Sequence, residues 1–323
     1  ERYSVKGALH TPSGETMRDG LELVEKVMRR FKPVNGSLPS DLRFSGGAVG
    51  FIGYEFIHDV EPVVPRPPQN DLQTPVMYFM IADQLLAFDR VSQTITLIVN
   101  ALVEDLADAG QEYDKACEAI ESLLKSLAQP CQHHPADFHN LSDSEAFESN
   151  MSKDTFLKHV QRSKAYIQAG DIIQVVGSQR FSAPIEASPL DVYRAARSIN
   201  PSPYMFLLEL NGFSLVGASP EIHVRCEDRQ VEIRPIAGTR PRGKDKAQDM
   251  THEKDLLADP KERAEHVMLV DLARNDIGRV CDYQSVEVKD LMIIERYSHV
   301  MHIVSQVEGR LSTEHTPYDL IRA

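Results

Sequence analysis

Tyr204-Met205-Phe206-Leu207-Leu208-Glu209-Leu210-Asn211-Gly212-Phe213-Ser214-Leu215-Val216 fixes how the strands of this chain pair. Two apolar runs flank Asn211-Gly212, a dipeptide that tolerates the positive φ of a type I′ turn, so the stretch is predicted as an antiparallel hairpin. Working outward, 222–226 and 231–236 are joined by Glu227-Asp228-Arg229-Gln230 and read as a second hairpin, and 85–89 and 94–100 flank Arg90-Val91-Ser92-Gln93 as a third. Residues 47–52, 75–82, 172–181 and most of 285–309 are also strand-like. Helices are expected between them. Leu21, Val24, Met28 and Phe31 recur at helical spacing within 16–31, as do Ala116, Ile120, Leu123, Leu124 and Leu127 within 113–127. A helix over 152–169 is closed by Gly170, where a left-handed cap is favoured. Ser188-Pro189-Leu190-Asp191 starts another that runs to about residue 198, and Asp259-Pro260-Lys261-Glu262 one that reaches about residue 277.

The 323 residues suggest two domains or one large one. Periodicity disappears over 129–150 amid Pro, Ser, Asp and His, so the expected division is 1–128, a linker at 129–150, and 151–323. Hydrophobic residues at 42% and charged residues at 26% describe an ordinary globular protein and exclude wholesale disorder. A net charge of −13 repels a phosphate backbone, which excludes broad nucleic-acid binding. No apolar run approaches the roughly 20 residues of a membrane-spanning helix, so no membrane partner is expected. Cys117, Cys131, Cys226 and Cys281 form no CxxC and read as free thiols in a reducing cytoplasm. The start, Glu1-Arg2-Tyr3-Ser4, has no initiator methionine, and the last residues stop inside a helix-like pattern. A piece of a longer chain is expected.

Two segments carry candidate chemistry. In Lys261-Glu262-Arg263-Ala264-Glu265-His266, Glu262 and Glu265 are three apart at a helix start and share a face. Two hard oxygen ligands suit Mg²⁺, which takes one or two carboxylates plus water and substrate oxygens. On spacing alone, a solvated acidic first turn is the commoner explanation. An inverzincin site needs H-x-x-E-H, and Glu262 stands where the first histidine should be. The second segment, Arg234-Pro235-Ile236-Ala237-Gly238-Thr239-Arg240-Pro241-Arg242-Gly243, follows a strand; its glycine permits close approach, and Thr239 with nearby amides suits a carboxylate. A basic surface turn explains it equally well. It matches neither a P-loop nor a Rossmann fingerprint. Cys131, His133 and His134 lack a second metal half-site, and His302 in an apolar run reads, taken alone, as a satisfied core histidine. No cysteine sits in a glutaminase elbow.

Together these segments occur in one order with further blocks: 44–51, Gly170-Asp171-Ile172-Ile173-Gln174-Val175-Val176, 200–206, Gly217-Ala218-Ser219-Pro220-Glu221, 262–276, and Arg296-Tyr297-Ser298-His299-Val300-Met301-His302. In this the chain resembles anthranilate synthase component I, within the chorismate-utilising enzymes, over nearly its whole length. The resemblance implies an α+β fold with two antiparallel β-sheets packed across each other and helices outside, incomplete at the C-terminus. It implies a Mg²⁺-dependent lyase that turns chorismate and ammonia into anthranilate and pyruvate. Glu265 and Glu262 would contact the metal, Gly238 and Thr239 the substrate carboxylate, and His302 and Glu221 would assist departure of the ring hydroxyl. Ammonia would come from a glutamine amidotransferase subunit, component II. L-Tryptophan would be the feedback inhibitor.

Five positions refine that expectation. Where related isochorismate synthases resemble one another in a water-activating lysine, Gln174 cannot serve as a base, which favours ammonia chemistry. Ala237 stands where many para-aminobenzoate relatives carry a nucleophilic lysine, which favours anthranilate over the product of aminodeoxychorismate synthase component I. Pro203, Tyr204 and Met205 are expected in an allosteric tryptophan site, since an aromatic and a thioether can line an indole pocket. Family members continue with a Gly-rich block and further metal-ligating glutamates, and their first tryptophan-binding element precedes residue 1. The chain as given is therefore expected to be inactive, and a non-catalytic tryptophan-binding or subunit-docking fragment is the reading from another class.

Overall fold

The computed structural model describes residues 9–10, 16–34, 42–67, 70–131 and 147–323. Of the expected linker, 132–146 lie outside the described residues, and His133 and His134 with them. Two compact units form: Glu1–Cys131 with Pro220–Ala323, and Gln132–Ser219.

In chain order the first unit contributes β1 (Leu9–His10), β2 (Thr16–Met17), α1 (Gly20–Met28), β3 (Gly47–Ile52), α2 (Ile57–Val60), β4 (Met77–Ala82), β5 (Gln84–Asp89), β6 (Thr94–Val99) and α3 (Ala109–Leu127). The second unit is β7 (Glu148–Ser149), α4 (Lys153–Ala169), β8 (Phe181–Ser182), α5 (Pro189–Ile199), β9 (Tyr204–Leu210) and β10 (Phe213–Ser219). The chain then returns to the first unit with β11 (Arg225–Glu227), β12 (Gln230–Ile233), β13 (Ile236–Pro241), α6 (Lys246–Ala258), α7 (Pro260–Gly278), β14 (Glu287–Arg296), β15 (Val300–Arg310) and α8 (Pro317–Arg322).

Helix and sheet are mixed and every strand pairing described is antiparallel, as the α+β expectation requires. The strands are distributed over one five-stranded sheet and five two-stranded ones among the described residues. In the larger sheet β15 is central: β14 runs along one side, and β12 and β13 lie end to end along the other. The buried side chains Met301, Ile303, Val304 and Val307 make β15 the spine of the core. Leu256 packs with Met301 and Ile303, and Val270, Ala273 and Ile277 of α7 pack with Val231, Val307 and Leu311.

Local chemistry sets the element ends. Asp19 accepts the Glu22 N–H at 3.0 Å, so α1 starts at Gly20, later than the periodicity from residue 16 suggests. Ser152 and Ser188 cap α4 and α5, and Gly170 closes α4 at φ +82°. The 204–216 hairpin forms in the expected register, but Gly212 (φ +91°) alone takes the left-handed conformation at its turn. A type I′ turn needs positive φ at both central residues, and it occurs instead at Asp228 (φ +47°) and Arg229 (φ +67°). Arg229 is held there by its side chain, which donates to the carbonyls of Leu311 (3.0 Å), Ser312 and His315 (3.2 Å).

The strand expected over 172–181 is not one: β8 begins at Phe181, and 172–180 have no ladder partner among the described residues. Ile173 and Val176 are 81% and 84% exposed. An apolar β-branched run becomes a strand only against a neighbour, and here the run has the propensity without the partner.

Candidate active site

The site residues of the first unit gather around a defect in β13. Ala237 pairs with Ile303 and Thr239 with His302, so Gly238 is an extra residue bulged out of the ladder. Its φ of +72° lies in the left-handed region that only glycine adopts without strain. The bulge aims the Gly238 carbonyl at His302 Nδ1, 3.0 Å away, and Thr239 Oγ1 lies 3.0 Å from the same nitrogen. A carbonyl can only accept, so His302 carries a proton on Nδ1, and Nε2 takes no part in this bond. The Tyr297 ring meets the imidazole edge-on at 5.6 Å. The Tyr297 hydroxyl donates to Glu295 Oε2 at 2.9 Å, and Glu295 stands opposite His302 in the β14–β15 register.

Glu221 joins from the other end of β13, where its Oε1 accepts the Ile236 N–H at 3.1 Å. Burial pushes its carboxyl above the usual range and outweighs that hydrogen bond, which favours a group that keeps a proton. Glu262 approaches Gly238 from α7: a Cβ on Gly238 would sit 3.3 Å from Glu262 Oε2. Its other oxygen is 3.6 Å from Arg240 Nη1. Arg240 is itself fixed by Asp255 (2.6 Å) and Asp259 (2.9 Å). Asp259 also caps α7 through the N–H groups of Lys261 (2.9 Å) and Glu262 (3.3 Å), and these amides together with Arg240 hold its carboxyl below the ordinary range. Glu265, one turn on from Glu262, is half-buried, and its carboxylate makes no hydrogen bond or ion pair among the described residues.

Glu221, Gly238, Thr239, Glu262 and His302 are thus brought together around β13, with Glu265 on the adjoining helix. Gln174, Pro203, Tyr204 and Met205 belong to the second unit. Gln174 is exposed within the unpaired 172–180, and Tyr204 and Met205 open β9 opposite Ser219 and Ala218. Among the described residues no three His, Cys, Asp or Glu side chains form a metal cluster. Glu262 and Glu265 nevertheless fit Mg²⁺, which needs only one or two protein carboxylates when substrate and water complete its octahedron. The free carboxylate of Glu265 and the loose Glu262–Arg240 pair leave oxygens available. All four cysteines are free thiols. No helix of the described residues is long and apolar enough to cross a membrane.

Sequence reasoning missed Arg240, Glu295 and Tyr297 as supports. Arg240 and Tyr297 lie inside quoted blocks, but the partners of Arg240 are 15 and 19 residues on, and Tyr297 bonds Glu295 only two residues back across a strand whose pairing the sequence does not reveal.

Residues 6–323 match the chorismate binding enzyme family, and the chain belongs to it. Anthranilate synthase component 1 of Acetivibrio thermocellus is 42% identical over 99% of this chain and 65% of its own length. A probable anthranilate synthase component 1 of Schizosaccharomyces pombe is 41% identical over 100% of this chain and 65% of its own. The crystal structure of anthranilate synthase component I from Streptococcus pneumoniae superposes with a TM-score of 0.81 at 34% identity, covering 99% of this chain and 68% of that one. The chain thus spans about two thirds of the length of the curated relatives it matches.

Proposed function

We propose that this chain belongs to the chorismate-aminating component of an anthranilate synthase, acting in tryptophan biosynthesis in the cytoplasm. Chorismate and ammonia would give anthranilate, pyruvate and water. The observation that carries the reading is the Gly238 bulge, which fixes the His302 proton on Nδ1 beside a carboxylate-bearing helix start. The identity with named anthranilate synthase components supports it.

His302 Nε2, when protonated, donates to the departing ring hydroxyl, which leaves as water. Glu221, its carboxyl raised by burial, is the second acid of the site. Glu265 and Glu262 would hold Mg²⁺, which supplies charge neutralisation for a substrate carboxylate. Thr239 and the amides at the Gly238 bulge orient that carboxylate. Gln174 offers no base for water, so ammonia, delivered from glutamine by a component II amidotransferase, is the nucleophile. Ala237 offers no side chain for covalent attack on the ring, which disfavours the aminodeoxychorismate alternative. Pro203, Tyr204 and Met205 form part of a feedback site for L-tryptophan, outside the catalytic residues.

In this reading the present span holds metal ligands on one wall only and is inactive alone. A metal held from one wall orients substrate poorly, and misplacement by about 1 Å can cost roughly 10²-fold in rate. The test assays this chain and a version extended to the length of its relatives, each with chorismate, Mg²⁺ and ammonium. Anthranilate from the extended form alone, lost on Glu265→Ala, is expected. Isochorismate or aminodeoxychorismate as the main product would overturn the assignment, and equal activity of both forms would overturn the one-wall account.

A further inference from the structure

His266 follows Glu265 on α7 and takes no part in the chemistry above. It is fully buried, with Nε2 2.7 Å from Ser305 Oγ on β15. Ser305 is fully buried too, and its Oγ accepts the Met292 N–H at 2.9 Å. Met292 has φ +56°, at the irregularity where the β14–β15 register shifts between Asp290 and Ile293. A hydroxyl that accepts from Met292 has one proton left to give, and the imidazole Nε2 is the acceptor within reach. That places the imidazole proton on Nδ1, which is buried and finds no partner among the described residues. A buried, unsatisfied N–H is a cost that an apolar side chain would avoid. The His266–Ser305 bond therefore specifies a position at the expense of stability.

The bond joins the two elements that carry the site. His266 lies one turn after Glu262 on α7, and Ser305 lies three residues after His302 on β15. We propose that His266 is a positioning residue: by pinning α7 to β15 through Ser305 it fixes where Glu262 and Glu265 present their carboxylates relative to the Gly238 bulge and His302. This rests on the metal-binding part of the reading above. Without the pin, the first turns of α7 can rotate or slide on their apolar contacts, and Glu262 Oε2, beside a Gly238 that has no side chain to hold it, can shift with them.

The probe is Mg²⁺, titrated calorimetrically into the full chain saturated with chorismate and without ammonia. Partners behind metal ligands typically cost about 10–100-fold in affinity when removed, so His266→Leu should raise the Mg²⁺ Kd at least about 10-fold. Ser305→Ala should do the same, the double variant should add little, and His266→Gln, which can reach Ser305 with its amide, should recover most of the loss. If His266→Leu does not fold, as judged by circular dichroism, Ser305→Ala and His266→Gln carry the test. Wild-type Mg²⁺ affinity in Ser305→Ala and His266→Leu, no recovery in His266→Gln, or no Mg²⁺ binding by the wild type would each overturn the proposal. Failure of the functional reading is separate: it appears as no anthranilate from the extended wild type with ammonium, whatever the Mg²⁺ pattern.

Discussion

One backbone angle at Gly238 supports three contacts. It turns the carbonyl to His302, lets Thr239 face the same imidazole, and leaves room for Glu262 where a side chain would stand. The sequence already suggested a glycine of close approach here. Its role in fixing the His302 tautomer was not legible, because the partners are 64 residues apart in the chain. His302 read alone as a core histidine for the same reason, and only the resemblance made it an acid. Gly238→Ala would place a Cβ 3.1 Å from Leu256 Cδ1 and 3.3 Å from both Glu262 Oε2 and Ile303 Cδ1. Added to the left-handed φ, this should lower stability by about 2 kcal/mol in urea unfolding. Unchanged stability would mean that the bulge relaxes freely.

Among elements, those with strong local grammar were readable and those that depend on a distant partner were not. Capping serines and Pro-first turns marked α4, α5 and α7 to within a residue or two. Helix α6 was unread because Lys-Ala-Gln-Asp-Met-Thr-His-Glu-Lys-Asp-Leu-Leu-Ala shows little apolar periodicity; Leu256 is its buried anchor. The apolar run 172–180 erred the other way, with strand propensity and no ladder. The β11–β12 turn is a third case, since no sequence rule favours arginine at positive φ. Its side-chain bonds to 311–315 hold it there, which gives a sharp test. Arg229→Ala and Arg229→Gly lose the same three hydrogen bonds, but glycine also removes the left-handed penalty. Arg229→Gly should therefore remain about 1 kcal/mol more stable than Arg229→Ala in urea unfolding. Equal stability would show that the turn carries no backbone strain.

At the scale of the whole molecule, a buried ion pair links the N- and C-terminal segments of the first unit, with the longer Arg18–Asp319 pair (4.0 Å) beside it. Arg322 of α8 donates to Asp19 at 2.7 and 2.8 Å across 303 residues of chain, with side chains only 6% and 1% exposed. Asp19 also caps α1, so a single carboxylate organises both segments. Burial alone would raise its pKa, but the bonds from Arg322 and the Glu22 N–H outweigh that, and the carboxyl is held below its ordinary 3.8. Asp249 behaves alike: bonded by Arg242 and the Gly243 N–H, it is lowered to about 2. A carboxyl depressed in the folded state contributes stability above its unfolded pKa and loses it as pH falls through the folded value. Asp19→Asn leaves the buried Arg322 charge with Asp319, 3.1 Å away, as its one hydrogen-bonded carboxylate among the described residues, and should cost about 3 kcal/mol near neutral pH. The gap between wild type and variant should then narrow as pH is lowered from about 7 to about 3, because the wild type protonates the carboxylate the variant already lacks. Urea midpoints measured across that range check both halves. A gap that stays constant would mean that the Asp19 carboxyl is not depressed in the folded state and that its stabilisation does not come from its charge.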